Sequence, residues 1–262
     1  FFLMLKFEGE WAEKLETWYR SPDVESQRDF VLNAVQAKEN ENILDIGFGP
    51  GILACKLATA VGDHGLVYGI DVSETMLDMA KKRCSGIDCI QLEIGDACDL
   101  KHPKGEKFDC IVSTQVYEYV SDIDKALSEA YNILKPGGRV IILDTDFDSV
   151  VWHSKNPERM KKLLLAYDEH LVHPHLPQFL RSRLEKAGFK DVDTSVFCIC
   201  NSDLREDTYS FGLLSTISEF VVGRQGITQD ESKAWKDELF ELDKTHEYFF
   251  SLNRYLFVAH KP

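Results

Sequence analysis

The chain has 262 residues, of which 44% are hydrophobic and 28% are charged, and its formal net charge at pH 7 is −14. That length is enough to bury one sizeable core or two small ones. An acidic surface repels phosphate backbones, so the composition argues against a nucleic-acid-binding protein. The basic runs at 81–83 and 159–164 are too short to form a compensating patch.

The sequence also lacks the marks of membrane insertion and of secretion. No apolar stretch approaches the length that spans a bilayer, so no stable membrane insertion is expected. The apolar start at 1–5 is too short for the core of a signal peptide and has no basic residues before it. Seven cysteines follow no disulfide framework, which predicts reduced thiols in a cytoplasmic protein. No feature of the sequence indicates an oligomeric state.

Helical and strand patterns alternate along the first part of the chain. An amphipathic helix opened by Ser21 and Pro22 is predicted over 22–37. The following strands are predicted over 42–46, 65–71, 89–96, 108–116 and 139–146, and the helices between them over 51–61, 73–84 and 122–134. Such alternation is typical of right-handed βαβ units and of a parallel sheet covered on both faces.

The second part of the chain is less regular. Helices are predicted over 156–171, 176–189, 207–222 and 229–244, and strands over 192–201 and 248–261. Helices that lie between the last two strands would sit above one edge of the sheet. We therefore interpret the chain as one domain with an inserted or flanking cap.

Three glycines stand between the first predicted strand and the helix that follows it. Gly47, Gly49 and Gly51 occupy alternate positions there. Open α/β sheets bind ligands at this place, outside the carboxyl ends of the strands. Without a Cβ, a glycine lets a ligand lie against the backbone, and the helix N-terminus offers free N–H groups. The pattern alone leaves two interpretations open, a tight turn and a ligand site.

Acidic residues follow the next two strands. Asp71 ends the second strand, where its carboxylate could accept hydrogen bonds from both hydroxyls of a ribose or could cap the following helix. Asp96 and Ala97 follow the third strand, where they could read an adenine or form a solvated turn. The glycine loop and Asp71 support each other at this separation and favour a nucleoside-bearing ligand.

Five segments together resemble the class I S-adenosylmethionine-dependent methyltransferases in order and spacing: ILDIGFGPG, GIDVSETML, IGDACDL, FDCIVSTQVYEYVSD and ILKPGGRVII. The chain looks most like the small-molecule branch that includes the quinone-biosynthesis C-methyltransferases. The resemblance implies an α/β, Rossmann-like, doubly wound sheet of seven strands, the last one antiparallel, with a helical cap. We accordingly divide the chain into an N-terminal helical or lid segment (1–40), a cofactor-binding core (41–146) and a region (147–262) that completes the sheet and inserts the cap.

The resemblance also implies S-adenosyl-L-methionine as cofactor and S-adenosyl-L-homocysteine as product. Gly47 and Gly49 would contact the methionine part of the cofactor. Thr114 or Gln115, at the end of the fourth strand, would touch its amino-acid end. Asp45 is expected to organise the glycine loop through the backbone amides of that loop.

The nucleoside end of the cofactor would lie against the second and third strands. By the same resemblance, Asp71 would bind the ribose, Val72 and Met76 would pack on the adenine, and Asp96 with Ala97 would read it. Many relatives carry a histidine where this sequence has Glu118, so chemistry that relies on that imidazole is not supported. Phe48 is bulkier than the small residue common at its position, which predicts a narrower cleft near the methionine carboxylate.

A methyl group on a sulfonium is a strong electrophile, so positioning the acceptor and excluding water carry much of the catalysis. An acceptor that bears a proton also needs a base. His153, after the fifth strand, is the first candidate for a catalytic residue. Tyr167 and His170 are further candidates for holding the acceptor. Asp144 and Asp146 could bind an acceptor amine or could cap helices.

Two other clusters are interpreted as structural. His170, His173 and His175 form H-x-x-H-x-H, but no acid or cysteine completes a ligand set in the sequence, so no metal is predicted. Cys198 and Cys200 share one face of a strand, and core packing is favoured over metalloid binding because no third thiol is evident. The aromatic residues expected to line or close the lid are Trp11, Trp18, Tyr19, Tyr209, Phe211 and Phe220.

The sequence thus favours an S-adenosylmethionine-dependent methyltransferase that acts on a small-molecule acceptor, at N, O or activated C, by in-line transfer. A non-catalytic S-adenosylmethionine-binding regulatory or scaffold protein stays open, because it would carry the same binding motifs. An NAD-dependent dehydrogenase is disfavoured, because the third glycine comes one residue too early for G-x-G-x-x-G. The acceptor and its methylated atom are not determined.

Overall fold

The structure is a computed structural model that describes residues 18–100 and 107–262. Its strands are β1 (Asn42–Ile46), β2 (Leu66–Asp71), β3 (Ile90–Ile94), β4 (Phe108–Thr114), β5 (Leu134–Thr145), β6 (Val151–Trp152), β7 (Lys190–Asn201) and β8 (Phe250–His260). The α-helices that lie wholly within the described residues are α1 (Pro22–Val35), α2 (Ile52–Val61), α3 (Glu74–Arg83), α4 (Ile123–Ile133), α5 (Pro157–Asp168), α6 (Pro177–Ala187), α7 (Tyr209–Phe220) and α8 (Gln229–Lys244).

The strands form one mixed sheet in the order β3-β2-β1-β4-β5-β8, with β7 on the far side of β8. Strands β1 to β5 are parallel, and β8 runs antiparallel to both β5 and β7. The predicted doubly wound α/β sheet with an antiparallel last strand is thereby confirmed. An eighth strand, β6, adds two residues that pair with Phe250 and Ser251 beyond the end of β5. The strand order reverses between β1 and β4, and such a switch point opens a crevice at the carboxyl ends of the strands.

Alternate residues of the central strands face opposite sides of the sheet, as the pleat requires. Leu44 and Ile46 face the side covered by α4 and α6. Ile43, between them, faces the side covered by α1 and α2. Because both sides are covered, the central strands are apolar along nearly their whole length.

Capping residues determine where several helices begin. Pro22 is the first residue of α1, and the Ser21 hydroxyl before it accepts from the Val24 N–H at 3.4 Å. The Ser73 hydroxyl accepts from the Met76 N–H at 3.2 Å and starts α3 two residues after β2 ends. Thr228 forms a capping box at the start of α8. The helix starts predicted at Pro22 and Ser73 are confirmed.

A separate apolar cluster forms the cap. It joins α5, α7 and α8 to the first residues of β8, with Trp235, Trp152 and Phe250 at its centre. Since β8 is antiparallel to β5, its first residues lie at the carboxyl edge of the parallel strands, and the cap covers that edge. Within the described residues no helix is both long enough and apolar enough to cross a membrane.

The cysteines are all present as free thiols. Cys198 and Cys200 lie on β7, and both are exposed. The prediction that they pack in the core is therefore wrong, because the face of β7 that carries them is not covered by another element. Cys55 on α2 and Cys84 at the end of α3 lie close together, with 2.7 Å between their sulfur atoms.

Oxidation is expected to join Cys55 to Cys84 because a sulfur separation of 2.7 Å needs only a small shift to reach a disulfide. With oxidised glutathione as oxidant, the two thiols would lose two electrons and two protons and release two reduced glutathiones. Mass spectrometry of alkylated peptides should show these two cysteines linked and unalkylated. Recovery of both as alkylated thiols after oxidation would contradict the prediction, and Cys84→Ser is the control.

Candidate active site

The loop after β1 turns the chain away from the sheet edge. The N–H groups of Gly47 and Phe48 both donate to the Ile70 carbonyl, at 2.7 and 3.3 Å. Gly47 and Gly49 have φ values of 72° and 53°, in the left-handed region that favours glycine. A Cβ on Gly47 would collide with the Val116 side chain, whereas no described atom lies within 4 Å of a Cβ on Gly49. Gly49 therefore presents open backbone to the crevice.

Asp71, at the end of β2, fixes this loop. Its Oδ2 accepts from the Gly49 N–H and its Oδ1 from the Ser73 N–H, both at 2.9 Å. Burial raises the pKa of Asp71, and the backbone hydrogen bonds from Ser73, Gly49 and Val72 oppose that rise. The carboxylate thus supports the start of α3 and also positions the glycine loop.

Asp45 does not organise the loop, contrary to the expectation from the sequence. Its carboxyl group is 1% exposed, and neither oxygen has a hydrogen-bond partner. The loop amides bond instead to the Ile70 carbonyl and to Asp71. Burial, together with the charge of Asp71, raises the pKa of Asp45 to about 7.

Replacing Asp45 by asparagine is expected to flatten the dependence of stability on pH. The usual pKa is 3.8 and the folded value about 7, so the folded state holds a proton that the unfolded state has lost between these values. The contribution of Asp45 to stability therefore falls as pH rises from about 4 to about 7, by up to about 4 kcal/mol. Urea denaturation at pH 5 and pH 8 measures the effect. An equal loss in Asp45→Asn would contradict it, and Asp78→Asn, on the exposed face of α3, is the control.

A cavity of about 670 Å³, counting space open to solvent, lies beside the ends of β2 and β3. Val72, which is 71% exposed, and Asp96 both line it. Asp96 also accepts from the Cys98 N–H at 2.8 Å and so forms a local turn, and Ala97 beside it is buried. Met76 does not line this cavity, because its side chain packs against Phe48 and Ala80.

A larger cavity of about 1020 Å³, again counting open space, begins at the glycine loop and extends under the cap. Gly47, Gly49, Thr114 and Gln115 line the end nearest the sheet. Gln115 has φ 59°, its Oε1 accepts from the Thr145 hydroxyl at 2.8 Å, and its side-chain nitrogen has no partner. Seven of the seventeen other lining residues are Trp, Tyr or Phe: Trp18, Tyr19, Phe48, Tyr119, Phe147, Tyr167 and Tyr209.

One buried carboxyl group, that of Glu118, lines this cavity together with the guanidinium groups of Arg28 and Arg254, and the carboxyl group of Asp144 lies behind Glu118. Glu118 lines it, and its Oε2 accepts from the Thr145 N–H at 3.2 Å. Asp144, behind it on β5, accepts from the Val116 N–H through Oδ1, while Oδ2 has no partner. Arg254 on β8 also lines the cavity and lies 4.6 Å from the centroid of the Tyr209 ring.

Burial dominates the electrostatics of these acids. It raises the pKa of Glu118 to about 7, and Arg254 and the Thr145 N–H oppose the rise. The pKa of Asp144 is raised well above its usual value, by burial first and then by the charge of Glu118. Near neutral pH the pair therefore carries fewer than two negative charges.

The structure brings only two of the three predicted catalytic residues to the cavity. His153 is exposed, its N–H donates to the Phe249 carbonyl at 2.9 Å, and it does not line the cavity wall. Tyr167 and His170 do line the wall, with ring centroids 4.0 Å apart. Burial lowers the pKa of His170 to about 4 and raises that of Tyr167 well above its usual value. Both side chains are therefore neutral at physiological pH.

The other two histidines do not converge with His170. His175 Nδ1 lies 3.2 Å from Asp146 and 3.4 Å from Asp148. The sequence-based argument that no acid accompanies these histidines is therefore wrong. Asp146, Asp148 and His175 place atoms of the kind that bind metals within 4.8 Å of one another. Asp146 forms a hydrogen bond with His175 Nδ1, and the side-chain amide of Gln178 donates to both Asp146 and Asp148. The absence of a metal stays a prediction.

Sequence reasoning noted Glu118 only as a departure from its relatives and missed Arg28 and Arg254, which also line the larger cavity. Arg254 lies on the buried side of β8, alternating with Phe250, Leu252 and Leu256. The sequence did contain a signal for Arg254. It is the one charged residue in a run of alternate positions that are otherwise apolar, and such positions face the core. Of the expected lid residues, Trp18, Tyr19 and Tyr209 line the cavity, Phe211 and Phe220 pack against the cap cluster, and Trp11 lies outside the described residues.

Fold and site together define a Rossmann-like α/β protein with a glycine loop, a strand-end acid and a capped cavity. The chain belongs to the methyltransferase domain family, whose model matches residues 37–203.

Individual proteins similar to this chain are also methyltransferases. A demethylmenaquinone methyltransferase of Symbiobacterium thermophilum is 34% identical over 139 residues, which are 52% of this chain and 50% of that protein. The ubiquinone/menaquinone biosynthesis C-methyltransferase UbiE of Escherichia coli O1:K1 / APEC is 33% identical over 190 residues, 63% of this chain and 72% of that protein. The chain spans about half the length of several curated relatives that it matches.

A solved structure supports the fold. Haemonchus contortus phosphoethanolamine N-methyltransferase 2, in complex with S-adenosyl-L-methionine, matches with a TM-score of 0.64 and 23% sequence identity. The match covers 98% of this chain and 58% of that chain. At this identity the likeness shows the shared fold alone.

Proposed function

We propose that this chain is an S-adenosylmethionine-dependent methyltransferase that acts on a small-molecule acceptor. The observation that carries the proposal is the place of Asp71. Its carboxylate bonds to Gly49, on the loop that lines the larger cavity, while its neighbours Ile70 and Val72 line the smaller one. A nucleoside with an amino-acid tail would reach from one cavity to the other past that carboxylate. Membership of the methyltransferase domain family supports the same conclusion.

The residues fit that cofactor in shape and polarity. The open space at Gly49 allows a ligand to lie against the backbone. Each carboxylate oxygen of Asp71 accepts one backbone hydrogen bond and can accept a second, as two ribose hydroxyls require. Exposed Val72 offers an apolar surface for a base, and the unpartnered amide nitrogen of Gln115 could donate to the amino-acid carboxylate. Met76 would act indirectly, by supporting Phe48.

The chain's own contribution is to bind, orient and exclude water. When bound, the cofactor supplies a methyl group on a sulfonium, already activated toward a nucleophile. The aromatic wall of the larger cavity would hold an acceptor away from bulk water, and ring faces stabilise positive charge. Tyr167 and His170, both neutral and buried, would shape the acceptor end of the cavity by packing and would not act as bases there.

The acceptor would be a small molecule methylated at N, O or an activated carbon. A wall that combines seven aromatic side chains with Glu118, Arg28 and Arg254 suits a compound with an apolar body and a polar group. The names of two relatives, a demethylmenaquinone methyltransferase and a ubiquinone/menaquinone biosynthesis C-methyltransferase, support an acceptor of this kind. The net charge of −14 supports the exclusion of nucleic acid, and the free thiols support a cytoplasmic location.

Calorimetric titration of the purified chain with S-adenosylmethionine tests the cofactor. We expect saturable one-to-one binding, with a dissociation constant in the roughly micromolar to millimolar range of typical substrates. Incubation with methyl-labelled cofactor and a small-molecule metabolite extract, followed by mass identification of the labelled product, then tests transfer. The absence of any cofactor binding would refute the proposed function.

A further inference from the structure

The larger cavity contains several groups that can gain or lose a proton. Its titratable wall residues come from the segment before α1, from α1 itself, from the turn after β4, from α5 and the stretch after it, and from α7 and β8. They are Tyr19, Arg28, Glu118, Tyr119, Tyr167, His170, Tyr209 and Arg254. Their positions decide which of them can accept a proton from a bound molecule.

The tyrosines are poor proton acceptors. Burial raises the pKa of Tyr19 to about 12, that of Tyr209 above its usual value, and those of Tyr119 and Tyr167 well above it. They stay neutral and lack an anionic oxygen near neutral pH. Their hydroxyl groups can orient a molecule by hydrogen bonding, but they offer no base.

His170 is also unsuited to proton exchange. Its Nδ1 is bonded to the Tyr167 carbonyl, and its ring is enclosed by Tyr167, Phe147, Phe220 and Tyr119. With a pKa of about 4, it would hold an accepted proton only weakly. The arginine side chains are already protonated.

Glu118 has the geometry that the other wall residues lack. It is 2% exposed to bulk solvent, yet it lines the cavity. The Thr145 N–H holds Oε2, which fixes the carboxyl group without using all of its acceptor sites. The charged groups that act on it are Arg254 on β8 and, behind it on β5, Asp144.

We infer that Glu118 is the catalytic base that receives the proton of the methyl acceptor. The inference rests on the proposed function and narrows its substrate class to acceptors whose nucleophilic atom carries a proton, such as an amine or a phenol. The acceptor atom forms a bond to the methyl carbon while the carbon–sulfur bond breaks, and its electron pair stays on sulfur. The acceptor's proton passes to a carboxylate oxygen of Glu118 and then to solvent.

Activity of Glu118→Gln tests the step, because glutamine keeps the hydrogen bond from Thr145 but accepts no proton. With methyl-labelled cofactor and the metabolite extract, and then with amine and phenol fractions of it, we expect transfer to fall about 100-fold or more. Cofactor affinity by calorimetry should stay within about threefold of wild type. Wild-type transfer should rise with pH to a plateau above about 7, and the variant should lack that rise. Glu185→Gln, on α6 and outside the cavity, should behave as wild type.

Infrared difference spectroscopy tests the same carboxyl group without an acceptor. Asp45 also has a pKa of about 7, so the comparison is made in the Asp45→Asn background. Raising the pH through 7 should remove a protonated-carboxyl band in Asp45→Asn, and this band should be reduced in the double variant that adds Glu118→Gln. Unchanged transfer in Glu118→Gln, or a band of equal size in Asp45→Asn and in the double variant, would overturn the role of Glu118 while the methyltransferase proposal stands. Failure of wild type to bind the cofactor would instead refute the proposed function itself.

Discussion

Asp71→Ala is expected to lose measurable binding of S-adenosylmethionine while the chain stays folded. The change removes the acceptor of the Gly49 and Ser73 N–H groups and the proposed partner of both ribose hydroxyls. Hydrogen bonds to a charged group contribute about 1.5 to 3 kcal/mol each. Losing two of them from the ligand predicts an affinity lower by roughly 100-fold or more. Calorimetric titration at pH 7.5 measures the loss.

Two further variants make this result interpretable. Asp71→Asn keeps one carbonyl oxygen as an acceptor and should lose less affinity than Asp71→Ala. Asp78→Ala removes an exposed carboxylate from α3, seven residues further along, and should bind as wild type does. Circular dichroism of all three checks that the fold persists. If Asp71→Ala binds within about threefold of wild type, the cofactor does not lie along the β2 carboxylate and the site assignment is wrong.

Trp235→Ala is expected to cause a large loss of stability. Trp235 is fully buried at the centre of the cap and meets Trp152 edge to face, with ring centroids 5.4 Å apart. Truncating a buried tryptophan leaves a cavity and typically costs about 3 to 5 kcal/mol. For a chain of this size the melting temperature should fall by roughly 10 °C. Urea denaturation followed by fluorescence and by circular dichroism measures the change.

The same experiment tests whether the cap and the sheet unfold together. Phe250 and Leu252 belong both to the cap cluster and to β8, and further along β8 pairs with β5. We therefore expect one transition, shifted equally for both probes. Leu165→Ala, a 54% exposed position on α5, should change stability by less than about 0.5 kcal/mol. Two separate transitions in Trp235→Ala would show that the cap is an independent unit.

Most of the fold could be predicted from the sequence because its signals are local. Buried parallel strands such as β4 read as continuous apolar runs, and Pro22 and Ser73 mark helix starts by their backbone and hydrogen-bonding chemistry. The two-residue strand β6 could not be predicted, since only its pairing with Phe250 and Ser251 defines it. The burial of Cys198 and Cys200 was predicted wrongly because sequence pattern does not show which face of β7 is left uncovered.

The residues of the candidate site also fall into two groups, those that the sequence predicts correctly and those that depend on the tertiary structure. Gly47 and Asp71 could be found from the sequence because each has a local role at the end of a strand. Gly47 adopts the left-handed conformation of the turn, and Asp71 accepts hydrogen bonds from nearby backbone amides. His153 also follows a strand end, but its exposure depends on how β6 meets β8. Asp45 lies directly before the loop, yet it bonds to none of the loop amides, because Ile70 and Asp71 already accept from them.

The sequence by itself determined the order of strands and helices, the glycine loop and the family, because periodicity, capping and turn chemistry act over a few residues. Only the tertiary structure decided which side chains share the acceptor cavity. Glu118 and Arg254 line that cavity, with Asp144 behind Glu118, and these residues come together because β8 enters the sheet antiparallel beside β5. Their burial shifts the pKa of Glu118 toward 7, and burial is set by non-local packing that no short stretch of sequence contains.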